Sequence, residues 1–127
     1  MLTNGNGIQD TYSVKDHITT RGYVINKVDS MVSPHDSVVV RIIREAGAVF
    51  FCRTAMPQTG FVLETVSNLW GRTMNPYNRL LGAGGSSGGD GALVAMRGCP
   101  IAPSTDAGGP IRAPAAFNGL YGIDRRL

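Results

Sequence analysis

The chain has 127 residues, 43% of them apolar, and a formal charge of +3 built from ten arginines and two lysines against nine acidic residues. That length suits one globular domain and leaves no room for a second. The arginines are scattered from Arg21 to Arg126, with the lysines at Lys15 and Lys27 and no run longer than Arg125–Arg126, which argues against a nucleic-acid partner, because such proteins gather positive charge on one face or helix.

Residues 1–10 are polar and glycine-rich and are expected to be a lead-in to a domain over residues 11–127. With no apolar run of signal or spanning length, neither secretion nor a membrane-spanning segment is expected, and a cytoplasmic location follows. The first expected strand is the alternating Thr11-Tyr12-Ser13-Val14, with Lys15 and Asp16 at its end. Ser33 as N-cap, Pro34 at the first helical position and Asp36 three residues after the cap then open a helix, with Val38, Val39, Ile42, Ile43 and Ala46 on one face and Gly47 as its stop.

The apolar residues 48–52 read as a buried strand of an α/β sheet, residues 61–69 as a short helix, and Asn75-Pro76-Tyr77-Asn78 as a turn. A glycine-dense loop over residues 82–91 runs straight into the helical pattern Ala92-Leu93-Val94-Ala95-Met96 and a stop at Gly98. Residues 101–105 read as a further strand, Ala107-Gly108-Gly109-Pro110 as a tight loop, and residues 114–118 as a helical turn. Cys52 and Cys99 have no second thiol or histidine at ligand spacing and read as reduced packing residues, so no metal is expected.

A glycine loop before a helix brings backbone N–H groups close to a ligand and often holds phosphate. Here the details exclude that use. Gly88-Gly89-Asp90 sets a carboxylate where a Walker loop needs lysine, and Gly82 and Gly84 lack the third glycine of the dinucleotide pattern, since Ser87 stands there. A flexible linker is the plain alternative for Gly/Ser-rich sequence, but the continuous passage into a helix weighs against it.

The remaining chemistry is acyl transfer. Gly84-Gly85-Ser86-Ser87-Gly88-Gly89-Asp90-Gly91-Ala92-Leu93, then Gly98-Cys99-Pro100, then Thr105-Asp106-Ala107-Gly108-Gly109-Pro110-Ile111-Arg112 together resemble the core of the amidase signature family. The branch it resembles is that of fungal acetamidases and fatty acid amide hydrolase. Ser13-Val14-Lys15-Asp16, Ala46-Gly47-Ala48-Val49, Pro57-Gln58-Thr59 and residues 71–78 extend the likeness over most of the chain.

The resemblance implies an α/β architecture, a mixed β-sheet flanked by helices, of which this chain would be a central part cut at both ends. It also implies a Ser-Ser-Lys triad that hydrolyses carboxamide C–N bonds without a cofactor. The base, a lysine closing a strand in a sequence like Ser-Val-Lys-Asp, maps onto Lys15; the bridging serine, in a cis peptide, maps onto Ser86. The nucleophile maps onto residue 110, which is proline and stands 24 positions after Ser86, in the family's spacing. Proline has no hydroxyl to acylate and no N–H for an oxyanion, so the resemblance implies an impaired catalyst.

Ala107, Gly108 and Gly109 would supply the remaining oxyanion N–H groups, Ser87 a supporting hydrogen bond, and Asp106 and Arg112 the fixing of the loop. Thr59 and Gly60 fall on the substrate side, whereas His17 and His35 match nothing catalytic and are expected at the surface. Three readings result: an amidase-derived remnant; a non-catalytic relative that binds a small-molecule amide, a complementing chain or a second copy; and a relative of the A subunit of glutamyl-tRNA amidotransferase.

Overall fold

The computed structural model describes residues 5–30 and 32–124; residues 1–4 of the expected lead-in and the Arg125–Arg126 pair lie outside them. The first strand, β1, spans Gly5–Gln9 and therefore lies inside the stretch expected as lead-in. It pairs in parallel with β2, Val49–Thr54, with a register shift between Asn6 and Gly7. A segment holding only one large apolar residue, Ile8, has little intrinsic strand preference. It is a strand because β2 lies on its edge and a later helix packs on its face, so closely that a side chain at Gly7 would run into Leu93.

Residues 11–14, expected as the strand, turn back instead: the Tyr12 N–H donates to the Gln9 carbonyl at 3.1 Å. A short helix that the sequence did not announce, α1 over Val24–Val28, buries none of its residues. The helix expected from Ser33 begins four residues later, as α2 over Val38–Glu45 with Ser37 at its N-cap. Ser33 is occupied elsewhere, exchanging backbone hydrogen bonds with Asp16 and His17 while its hydroxyl meets Thr19. Asp36 accepts from the Lys15 N–H and pairs with Arg44, so it does not cap the helix. Gly47, at φ 93, follows the helix as expected of a C′ glycine.

Residues 61–69 form no helix. They run through turns into β3, Val66–Ser67, which pairs antiparallel with β4, Gly71–Arg72. The extended backbone sets Thr65, 1% exposed, against the glycine loop. The helix expected after that loop, α3, spans Gly88–Ala95 and so begins inside the stretch read as loop, whose last four residues, Gly88–Gly91, are its first turn. Residues 101–105 pair with no strand: Pro100 and Pro103 lack ladder donors, and the segment is anchored by Tyr12 and Gln9 instead. The last helix, α4, covers Arg112–Phe117, with Pro114 in its first turn, where no intrahelical donor is needed.

The core is Ile8, Val14 and Val40, flanked by Tyr12 and Phe50. Each such buried aliphatic side chain contributes roughly 1.5–3 kcal/mol. Beyond half-buried Ile43, the apolar stripe of α2 is open, with Val38 60% and Ile42 56% exposed.

Candidate active site

The glycine loop is pressed against backbone on one side. A Cβ at Gly85 would lie 2.5 Å from Glu64 main-chain atoms, so only glycine fits there. The Gly85–Ser86 peptide bond is cis, the geometry the resemblance implied for the bridging serine. The Thr65 hydroxyl holds the loop, donating to the carbonyls of Gly84 (2.9 Å) and Ser86 (3.1 Å) and accepting the Gly88 N–H at 2.9 Å. Beneath the loop, Asn118 Nδ2 donates to the Ala83 and Pro114 carbonyls, tying it to α4. Ser86 is 1% exposed, and its Oγ has no hydrogen-bond partner among the described residues.

Ser87 belongs to a closed ring of hydrogen bonds. Gln9 Nε2 donates to Ser87 Oγ at 2.9 Å, Ser87 Oγ donates to the Thr105 carbonyl at 3.4 Å, and Thr105 Oγ1 donates to Gln9 Oε1 at 2.8 Å. Gln9 and Thr65 are thus site neighbours that sequence reading missed. The signal for Thr65 was weak, a lone threonine in an apolar stretch. For Gln9 it was a polar residue directly before an aspartate at the end of a glycine-rich segment.

In the first turn of α3, Asp90 is 3% exposed and accepts from Thr54 Oγ1 at 2.5 Å. Burial pushes its carboxyl up to about 7, with hydrogen bonds from Thr54 and Ser104 opposing the rise. It faces a cleft of about 420 Å³ that Tyr12, Ile43, Ser87, Val94 and Ser104 also line. The Cys52 thiol is pushed up by burial, then by Cys99 and Asp90, which leaves it a poor thiolate and suits the packing role read from sequence.

The Asp106 to Pro110 turn is organised by one carboxylate. Asp106 accepts the N–H groups of Gly109, Ile111 and Arg112 and pairs with the Arg112 guanidinium at 3.1 Å. The Arg112 contact, followed by those N–H groups, holds the Asp106 carboxyl well below its ordinary range. Both residues therefore fix the loop. Of the three N–H groups expected for an oxyanion, that of Gly109 is already donated to Asp106; Ala107 and Gly108 are exposed. Pro110 is buried and opens the approach to α4.

Lys15 is not brought to these residues. It is exposed on the segment after β1, its N–H donates to Asp36 at 2.6 Å, and its amine makes no hydrogen bond or ion pair among the described residues. Thr59 and Gly60 form a turn closed by the Gly60 N–H on the Pro57 carbonyl, and Thr59 is exposed. His17 and His35 are both exposed. Among the described residues no helix is long and apolar enough to cross a membrane.

A family model described as Amidase matches residues 7–124. An amidase of Gibberella zeae is 60% identical over 116 residues, covering 91% of this chain and 21% of its own length. An acetamidase of Emericella nidulans is 50% identical over 118 residues, with the same two coverages. Among solved structures, a fatty acid amide hydrolase superposes with a TM-score of 0.85 at 41% identity, over 90% of this chain and 20% of that one. The chain thus spans about a fifth of the length of the curated relatives it matches, and its architecture is part of the amidase-signature fold. Since the family match runs from within β1 to beyond α4, the chain belongs to the amidase family.

Proposed function

We propose that this chain is an amidase-family segment that does not hydrolyse amides. The family chemistry would be attack of a serine hydroxyl on a carboxamide carbon, cleavage of the C–N bond and hydrolysis of the resulting ester. The observation that carries the proposal is Pro110, buried in the turn that Asp106 organises, where the family pattern calls for serine. A proline there supplies neither the attacking oxygen nor an oxyanion N–H, and with the Gly109 N–H committed to Asp106 the turn is poor in free donors. The neighbouring hydroxyls are engaged elsewhere: Ser87 is locked in its ring with Gln9 and Thr105, and the Ser104 hydroxyl donates to the Ala102 carbonyl.

The test is incubation of the pure chain with short-chain amides, the corresponding esters and a fluorophosphonate probe. No turnover and no covalent adduct are expected; turnover that disappears on Ser86→Ala would overthrow the proposal.

A second reading, a non-catalytic module that holds a small amide or a partner chain in the cytoplasm, is favoured by the cleft beside Ser87 and Asp90 and by the open apolar stripe of α2. Among similar solved structures, one is the A subunit of a glutamyl-tRNA(Gln) amidotransferase and another belongs to a vestigial protein complex, so assembly has precedent in the fold. Sedimentation of the pure chain distinguishes the cases: a lone monomer that takes up no acetamide in equilibrium dialysis removes this reading.

A further inference from the structure

The chain contains two short segments in which an apolar residue, a polar residue and an aspartate follow one another: Ile8-Gln9-Asp10 and Val14-Lys15-Asp16. The fold treats them differently. The first closes β1 inside the molecule. Gln9 is 0% exposed, with one end of its amide on Ser87 and the other on Thr105. Asp10 is 5% exposed and is bound by the Thr20 N–H and hydroxyl and by Arg53 at 2.7 Å. The second lies on the surface, where Asp16 adopts φ 62 and both Lys15 and Asp16 are exposed. Only the first segment reaches the paired serines.

We infer that Gln9 occupies the general-base position of the site, so that this position lacks a proton acceptor just as position 110 lacks a nucleophile, and Lys15 takes no part. This rests on the amidase-family reading of the loop. A carboxamide orients its neighbours well, but its nitrogen lone pair is delocalised into the carbonyl and does not accept a proton from a hydroxyl at neutral pH. The buried Ser86 Oγ has no partner among the described residues, and the side chain that reaches the serine pair is an amide bonded to Ser87 and Thr105. Reverting Pro110 alone therefore does not give an activated hydroxyl; reverting both positions does.

The test is the rate at which a fluorophosphonate labels position 110, read by peptide mass spectrometry. In the reaction the introduced hydroxyl oxygen bonds to phosphorus, fluoride leaves, and the hydroxyl proton passes through Ser86 Oγ to the base. Four variants are compared: Pro110→Ser, Pro110→Ser with Gln9→Lys, and each of these with Lys15→Ala. The double reversion is expected to label about 100-fold faster than Pro110→Ser alone, the low end of what a positioned base contributes, and Lys15→Ala is expected to change either rate less than about twofold. Fast labelling of Pro110→Ser alone, or a rate that collapses with Lys15→Ala, overturns the inference, as does equal labelling with and without Gln9→Lys.

Labelling of the unsubstituted chain would instead sink the proposal of an inactive segment, so the two failures are distinguishable. Should Gln9→Lys prevent folding, urea midpoints decide. The shifts from Gln9→Ala and Ser87→Ala are expected to be non-additive and those from Lys15→Ala and Ser87→Ala additive, and the reverse pattern overturns the assignment.

Discussion

Between Gly84 and Ala92 every residue but Gly89 is buried, whereas along α2 Val40 alone is. From the sequence, one stretch read as a glycine loop entering a helix and the other as an amphipathic helix with one apolar face. The difference teaches that close packing of backbone on backbone is completed within this chain, while an apolar stripe only states a demand for a partner surface. For the loop, the partners are Glu64 and Thr65 on one side and α4 on the other. For α2, the described residues bury Val40 and half-bury Ile43, leaving the rest of the stripe exposed.

The sharpest break of this comparison is a side chain in the loop. Gly85→Val places atoms where Glu64 backbone already sits, and the expected cost of about 4 kcal/mol or more abolishes a cooperative thermal transition. A transition retained within a few degrees of the parent would mean that the loop is not packed as described. Next comes Thr65→Val, which keeps shape but removes the hydroxyl serving Gly84, Ser86 and Gly88; about 2 kcal/mol of stability should be lost in urea unfolding.

The buried carboxylate of the same region gives a pH signature of similar size. Asp90 has a carboxyl near 7 in the fold and 3.8 when unfolded, so the unfolded chain binds fewer protons between those values. Its charge therefore opposes folding fully above about pH 7, progressively less as pH falls, and not at all below the unfolded value. Asp90→Asn is expected to raise stability by on the order of 2 kcal/mol at pH 8 and to change nothing at pH 4. Asp106 acts in the opposite sense: held low by Arg112, it favours folding above the ordinary carboxylate range and loses that contribution as pH falls through and below it. A parent stability that rises steadily from pH 4 to pH 8 would contradict the buried state of Asp90.

The smallest effect belongs to the other region. Val39→Ser and Ile42→Ser on α2 should each move stability by less than about 0.5 kcal/mol, because both side chains are already exposed. A loss above about 1 kcal/mol that depends on protein concentration would show instead that the stripe is covered by a second copy in solution.

Much of this arrangement was legible. The glycine loop and the helix after it, the C′ role of Gly47, the strand near residues 48–52 and the helical turn near Pro114 all lie close to where the sequence put them. Where reading failed, side chains had been claimed by distant partners. Ser33 and Asp36 spell an N-cap but are held by Thr19, Lys15 and Arg44, and residues 101–105 spell a strand but are pinned by Tyr12 and Gln9.

The sequence by itself determined the family, the paired serines in their glycine loop and the proline in the Asp106 turn, because tight backbone approach and turn geometry restrict residue type locally. Only the tertiary structure decided which of two similar segments faces those serines. Strand formation at Gly5–Gln9 depends on β2, some forty residues away, and on α3, nearly twice as far. Local pattern cannot report a pairing whose stabilisation comes from the other side of the fold.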